Sequence, residues 1–97
     1  MSMSRVERIR SLIQLDLKPE LLKIEDETHH HAGHGVVGDE THLALRVVSE
    51  EFKDLSKLQR SRRVYALLDG EFKSGLHAIR LELFTGQEAK LLFQTIK

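Results

Sequence analysis

Histidines are the side chains of this protein with the clearest capacity for chemistry, and five of the six lie in one stretch, residues 28–42. A neutral imidazole nitrogen is a ligand for zinc, nickel, copper and iron. Three glycines in the same stretch disfavour the interior of a helix or strand. Residues 21–24 and 43–48 on either side are typical of β-strands. The sequence therefore predicts a β-hairpin connection, and loops of this length are uncommon in compact domains and tend to be functional.

The composition is that of one small domain. With 97 residues and 40% hydrophobic content, the chain can bury a single core, so residues 1–97 are predicted to form one domain. Fifteen basic residues balance fifteen acidic ones, so no net charge draws the whole chain to nucleic acid or anionic lipid. The absence of cysteine excludes disulfides and thiolate catalysis. A soft-metal site must therefore take its sulfur ligands from a partner.

Several function classes have no support in the sequence. No apolar run approaches the length of a membrane span, and no signal-peptide pattern is present, so a cytoplasmic location and no membrane association are expected. No pairing of a nucleophile with a base, no phosphate-binding loop and no paired acidic motif stands out. The chain is therefore expected not to be an enzyme.

Three capping boxes predict the starts of helices. They begin at Ser4, Ser56 and Thr85, each followed three residues later by Glu or Gln. The first helix should end by about Leu17, because Pro19 disfavours helical geometry at the residue before it. The second helical region, which a turn at 50–55 precedes, has a possible break at 69–70. The predicted apolar faces comprise Val6, Ile9, Leu12 and Ile13; Leu55, Leu58, Tyr65, Leu68 and Phe72; and Ala89, Leu91, Leu92 and Ile96.

Three segments alternate as strands do, roughly 21–27, 41–49 and 76–84. His77 shares its phase with Ile79 in the last strand and is expected to head the core-facing row. His42 has the opposite phase to the apolar residues of its strand and is expected at the surface. The core-facing residues are predicted to be Leu22 and Ile24; Leu43, Leu45 and Val47; and Ile79, Leu81 and Leu83. The element order αββααβα is that of an α+β domain.

The connection between the second and third strands predicts where His77 lies. About 25 residues including a helix separate the two strands, which is the length of a parallel crossover. Parallel strands start at the same edge of a sheet, so the histidine loop and His77 should share one rim. Two other interpretations stay open from the residues alone. His77 can be a core histidine with a backbone hydrogen bond, and His29, His31 and His34 can form a simple zinc or nickel site.

Five short segments, taken together, are typical of a known family. They are residues 26–32, 40–43, 48–52, 58–65 and 75–79. In their order and spacing they resemble the BolA family over about residues 5–85. The resemblance implies a KH-like α+β fold in which helices pack on one face of a mixed three-stranded sheet.

The same resemblance implies a function and its ligands. BolA-like proteins pair with monothiol glutaredoxins around a bridging [2Fe–2S] cluster, in cluster trafficking and assembly or in iron and redox sensing. The matching ligands here are His77 and a loop histidine, with His31 at the aligned position and His34 as the alternative because the loop is longer. Glutaredoxin and glutathione supply the two thiolates. The isolated chain, a monomer or weak homodimer, is expected to hold no cluster tightly.

An alternative function is nucleic-acid binding, since KH-like folds bind nucleic acid and some BolA relatives are transcriptional regulators. Arg60, Arg62 and Arg63 on the second helix could contact phosphates of DNA. The zero net charge favours the simpler interpretation of these arginines as a solvated helix face.

Overall fold

Three helices pack on one face of a three-stranded sheet in the computed structural model. It describes residues 3–31 and 40–93, without the side chains of residues 30 and 31. Short 3-10 turns lie at Thr28–His31 and Glu50–Phe52. The predicted α+β class and element order are confirmed. The main elements are α1 (Arg5–Leu17), β1 (Leu21–Asp26), β2 (His42–Val48), α2 (Lys57–Leu67), α3 (Asp69–Lys73), β3 (Ala78–Phe84) and α4 (Gly86–Phe93).

The central strand β2 determines the topology of the sheet. It pairs antiparallel with β1 and parallel with β3, which confirms both the hairpin and the crossover. Asp26 at the end of β1 pairs with Leu43, and His42 pairs with Ala78 at the start of β3. One edge of the sheet therefore carries residues 26–28, 40–42 and 76–78, which we call the histidine rim.

A single hydrophobic cluster lies between the sheet and the first three helices. Ile9 and Ile13 of α1 contact it, as do the inward residues of all three strands, which confirms the faces predicted for these elements. The buried members, each at most 4% exposed, are Ile9, Ile13, Leu17, Leu43, Leu45, Val47, Phe52, Val64, Leu68 and Leu76.

The face predicted for α2 is wrong at two positions. Leu58 and Tyr65 are exposed. The inward face is instead formed by Arg60, Val64 and Leu68, which follow one another at four-residue spacing. Because this face of α2 points towards the sheet, Leu58 and Tyr65 point away from it.

The fourth helix is the exception to the packing of helices on one face. None of the residues described in α4 is fully buried, and Leu91 and Leu92 are exposed, while Ile96 lies outside the described residues. Phe93 makes an edge-to-face contact with Phe84, with centroids 5.8 Å apart, and lies 4.7 Å from the Arg46 guanidinium. Both partners lie on the sheet face opposite the core, because Phe84 and Arg46 alternate with core-facing residues. None of the described helices is long and apolar enough to cross a membrane.

Arg60 ties α4 to the rest of the domain. Its side chain is only 8% exposed and pairs with Glu88, with nitrogen–oxygen distances of 2.6 and 3.0 Å. It also donates to the carbonyl oxygens of Leu55 and Leu83. Hydrogen bonds from Arg60, and then from the Thr85 amide, lower the pKa of Glu88 to about 2. Arg60 therefore joins α2, β3 and α4 through one guanidinium.

Replacing this carboxylate should weaken the domain in a pH-dependent way. Glu88→Gln should lower the free energy of unfolding by about 1–2 kcal/mol at neutral pH, because Arg60 stays buried with a neutral partner. The folded-state pKa of Glu88, about 2, lies below its ordinary value of 4.5. The extra stability of wild type over Glu88→Gln is therefore fully present above pH 4.5 and is lost as the pH falls towards 2. Urea denaturation across this range measures it.

Asp69→Asn is the matched control. Asp69 pairs with Lys73 at 2.8 Å, but both side chains are well exposed, so its loss should change stability little. A difference between wild type and Glu88→Gln that stays constant down to pH 2 would contradict the role given to Arg60 and Glu88.

Candidate functional site

A bulge at the start of β3 presents His77 to solvent. The amides of His77 and Ala78 both donate to the Thr41 carbonyl, at 2.8 and 3.2 Å. His77 and Ala78 thus both lie opposite the single residue Thr41, as in a β-bulge. Leu76 enters the core before the bulge and Ile79 packs on it after, while His77 is exposed. The expected core-facing position of His77 is therefore wrong, because the extra residue breaks the alternation. Its expected place on the rim is confirmed.

The ring of His42 lies against the ring of His77. Their centroids are 5.7 Å apart and their planes differ by 7°. Nδ1 of His42 lies 3.0 Å from the Thr41 hydroxyl oxygen. The phase of His42 within its strand predicts only a surface residue and does not reveal this pair. The signal that could have found it was the predicted parallel pairing, which places the first residues of β2 and β3 side by side.

A polar clamp closes the base of the histidine loop. Asp26 accepts hydrogen bonds from the Thr28 amide and hydroxyl on one oxygen and from the Glu40 amide on the other. The Thr28 hydroxyl oxygen in turn accepts from the amides of Thr41 and His42, at 3.0 and 3.3 Å. Burial acts to raise the pKa of Asp26, but the hydrogen bonds from Thr28 and Glu40 hold that pKa below its ordinary value. The two ends of the loop are therefore joined at the rim.

Arg5 joins the exit of the loop to the turn before β3. Its guanidinium donates to the carbonyls of Glu40 and Ser74, at 3.0 and 2.9 Å, and to Glu71 at 3.0 Å. Gly75 has a φ of +125°, and a Cβ there would lie 3.2 Å from Arg5. This position therefore requires glycine both for its backbone conformation and for space. The segments carrying the loop and His77 are thus fixed relative to α1.

The predicted loop ligands fall largely beyond the described atoms. The backbone of His31 ends the 3-10 turn at the loop entrance, but its side chain and all of His34 lie outside the described residues. Their assignment stays a prediction. His29 is exposed. Within the part of the chain that the structure describes, no three His, Asp or Glu side chains form a group able to hold a metal ion.

The three arginines proposed for phosphate contacts differ in their surroundings. Arg62 is exposed. Arg63 pairs with Asp16 at 3.4 Å and Glu51 at 3.2 Å. Arg60 is buried and paired within the domain. The expectation that all three lie on a solvated helix face is therefore wrong for Arg60, whose position on α2 points inward.

Comparison with known proteins identifies the family. The model of the family of BolA-like proteins matches residues 13–88, a stretch that contains all three strands and the histidine rim. The chain belongs to the BolA family. The resemblance seen in five short segments is thereby confirmed.

Individual relatives extend this finding. The chain is 39% identical over 94 residues to the DNA-binding transcriptional regulator BolA of Haemophilus influenzae, covering 97% of this chain and 89% of that protein. It is 44% identical over 91 residues to SufE-like protein 1, chloroplastic/mitochondrial, of Arabidopsis thaliana, covering 88% and 24%. The solved structure of BolA1 from Arabidopsis thaliana superposes with a TM-score of 0.83 at 38% identity, covering 91% and 98%. The chain therefore spans most of the bacterial regulator but about a quarter of the plant SufE-like protein.

Removing the central hydroxyl of the clamp should loosen the rim. Thr28→Val deprives the buried Thr41 amide and the His42 amide of their acceptor, so the free energy of unfolding should fall by about 1–3 kcal/mol. Amide hydrogen exchange at Thr41 and His42 should accelerate.

Thr85→Val provides a matched control, since the Thr85 hydroxyl accepts from the Glu88 amide at the start of α4. Its effect on exchange should be confined to α4. Unchanged exchange at the rim in Thr28→Val would show that the clamp does not hold the loop ends.

Proposed function

We propose that this BolA-family protein is an adaptor that shares a [2Fe–2S] cluster with a monothiol glutaredoxin and glutathione, in cluster trafficking or in iron or redox sensing. The observation that carries the proposal is the exposed imidazole of His77 on the histidine rim. The amides of His77 and of Ala78 both donate to the Thr41 carbonyl, which holds the backbone at the bulge. Beside it the clamp closes a loop whose sequence contains four histidines.

The available donors fit a shared cluster. The chain offers imidazoles and, lacking cysteine, no thiolate. Iron–sulfur clusters are held mainly by thiolates, and two imidazoles on one iron change the charge and raise the reduction potential of a cluster. A partner that contributes thiolates therefore completes a ligand set that this chain cannot provide alone. An exposed position suits His77 to that role, since the ligand must meet the partner at an interface.

The role of the protein in this proposal is to hold and orient ligands. The clamp brings the loop ends to the rim, and Arg5 joins the loop exit to the turn before β3 through hydrogen bonds to the carbonyls of Glu40 and Ser74. His77 and either His31 or His34 supply nitrogen. An imidazole must be neutral to bind iron, so acid should favour release.

The first test is reconstitution with a partner. The purified protein alone should be colourless. With a monothiol glutaredoxin, glutathione, iron and sulfide it should form a heterodimer whose visible circular dichroism differs from that of the glutaredoxin homodimer. His77→Ala should remove this difference, because the ligand on the rim is lost. His31→Ala should weaken the signal, and the double change of His31 and His34 to Ala should approach the His77 result.

His29→Ala is the matched histidine control and should leave the spectrum near that of wild type. A heterodimer spectrum unaffected by His77→Ala would show that the rim is not the cluster site. A stable brown monomer purified without a partner would contradict the need for external thiolates.

DNA binding is the second candidate, favoured by the name of the Haemophilus influenzae relative. Arg60 is unsuitable for its test, because removing a buried, paired guanidinium perturbs the fold. Arg62→Ala changes an exposed cation instead. We expect this variant to alter duplex DNA binding no more than about threefold at physiological salt, as for a peripheral phosphate contact. Loss of sequence-specific binding in fluorescence anisotropy would make transcriptional regulation the leading function.

A further inference from the structure

We infer that His42 is a positioning residue for His77. Its ring determines the plane of the neighbouring imidazole and therefore the direction in which His77 meets a shared cluster. This inference rests on the proposed function and adds to it a residue outside the predicted ligand set.

The contact between the two rings has the geometry of a stack. The ring planes are within 7° of parallel, and the centroid distance of 5.7 Å lies in the range of offset aromatic pairs. His77 lies on the bulge, so its backbone is held by Thr41 while its side chain projects into solvent. The flat face of His42 provides a surface on which one orientation of the His77 ring is preferred.

His42 is itself held from several sides. Its amide donates to the Thr28 hydroxyl oxygen at 3.3 Å, and its carbonyl accepts from the Glu27 amide at 2.7 Å. The ring is oriented by the contact between Nδ1 and the Thr41 hydroxyl. A fixed ring can orient a neighbour, whereas a freely rotating ring cannot. The same residues that close the loop thus also place the surface against which His77 rests.

The geometry distinguishes a positioning role from ligation by His42. The lone pair of an imidazole nitrogen lies in the plane of its ring. Two stacked and nearly parallel rings direct these lone pairs side by side, so they do not converge on one iron. Stacking requires only the flat ring of His42, whereas ligation requires its nitrogen.

This difference makes His42→Phe and His42→Ala the informative variants. Phenylalanine keeps an aromatic face and removes both nitrogens, while alanine removes the face as well. In the free protein, ring-current shifts of the His77 ring protons should persist in His42→Phe and disappear in His42→Ala. In the heterodimer, the half-life of the cluster in His42→Phe should lie between those of wild type and His42→Ala, because phenylalanine keeps the flat face but loses the contact between Nδ1 and the Thr41 hydroxyl. The half-life in His42→Ala should be about two- to tenfold shorter than in wild type, as expected for the loss of an aromatic contact.

A third variant tests the support of the His42 ring. Thr41→Val removes the hydroxyl beside Nδ1 at nearly constant volume, and its cluster half-life should lie between those of wild type and His42→Ala. Urea denaturation of each free variant separates these effects from loss of folding. The ring-current shifts provide a readout that needs no cluster.

The outcomes separate the two proposals. If His42→Phe loses the cluster as fast as His42→Ala, His42 acts through a nitrogen and the stacking role is wrong. If the cluster in His42→Ala is as long-lived as in wild type, the ring of His42 does not position His77 and the inference is overturned. If wild type forms no mixed-ligand cluster, the proposed function fails, and with it any role of His42 towards that ligand, even where the shifts show the stack.

Discussion

The parallel pairing of β2 with β3 is the constraint on which the site depends. A hairpin of β1 and β2 alone would place the histidine loop at one end of a two-stranded sheet and would not bring His77 close to it. The crossover through α2 and α3 returns the chain to the edge where β2 began, and the register places Ala78 beside His42. Parallel strands need a crossover connection of a dozen or more residues, usually helical, and α2 and α3 provide it here. His42 and His77 are far apart in sequence, but this pairing places them at the same edge of the sheet.

Much of the fold could be predicted because local signals agreed with the final structure. The capping boxes at Ser4 and Ser56 form both of their reciprocal hydrogen bonds, and α1 ends at Leu17, as Pro19 requires. Each strand pattern identified its core face correctly where pairing is regular. These features depend on residues within a few positions of one another, so a single sequence contains the information that determines them.

The remaining features depend on contacts between segments. Alternation assumes regular pairing, but the bulge at the start of β3, opposite Thr41, shifts the phase of His77, and only the pairing with β2 reveals it. Hydrophobic periodicity assigns charged residues to the solvent-facing side of a helix. It therefore did not predict that Arg60 occupies an inward position on α2. A guanidinium is tolerated there because Glu88 and two backbone carbonyls satisfy its donors. The stack of His42 on His77 was missed because the phase of each residue was considered within its own strand, although the predicted parallel pairing places both at one edge of the sheet.

The attachment of α4 has a consequence for how the domain comes apart. Its described residues bury no side chain fully. It is held by Arg60, by its cap, by a hydrogen bond from the Gly86 amide to Glu50, and by the contacts of Phe93 with Phe84 and Arg46. Detaching it therefore exposes little apolar surface, so the free energy of this partial opening should be a modest fraction of that of complete unfolding. A protease should cut α4 more readily than the described elements that form the hydrophobic cluster, and so release a shortened chain. That chain would keep the main hydrophobic cluster and the histidine rim, because neither includes a residue of α4.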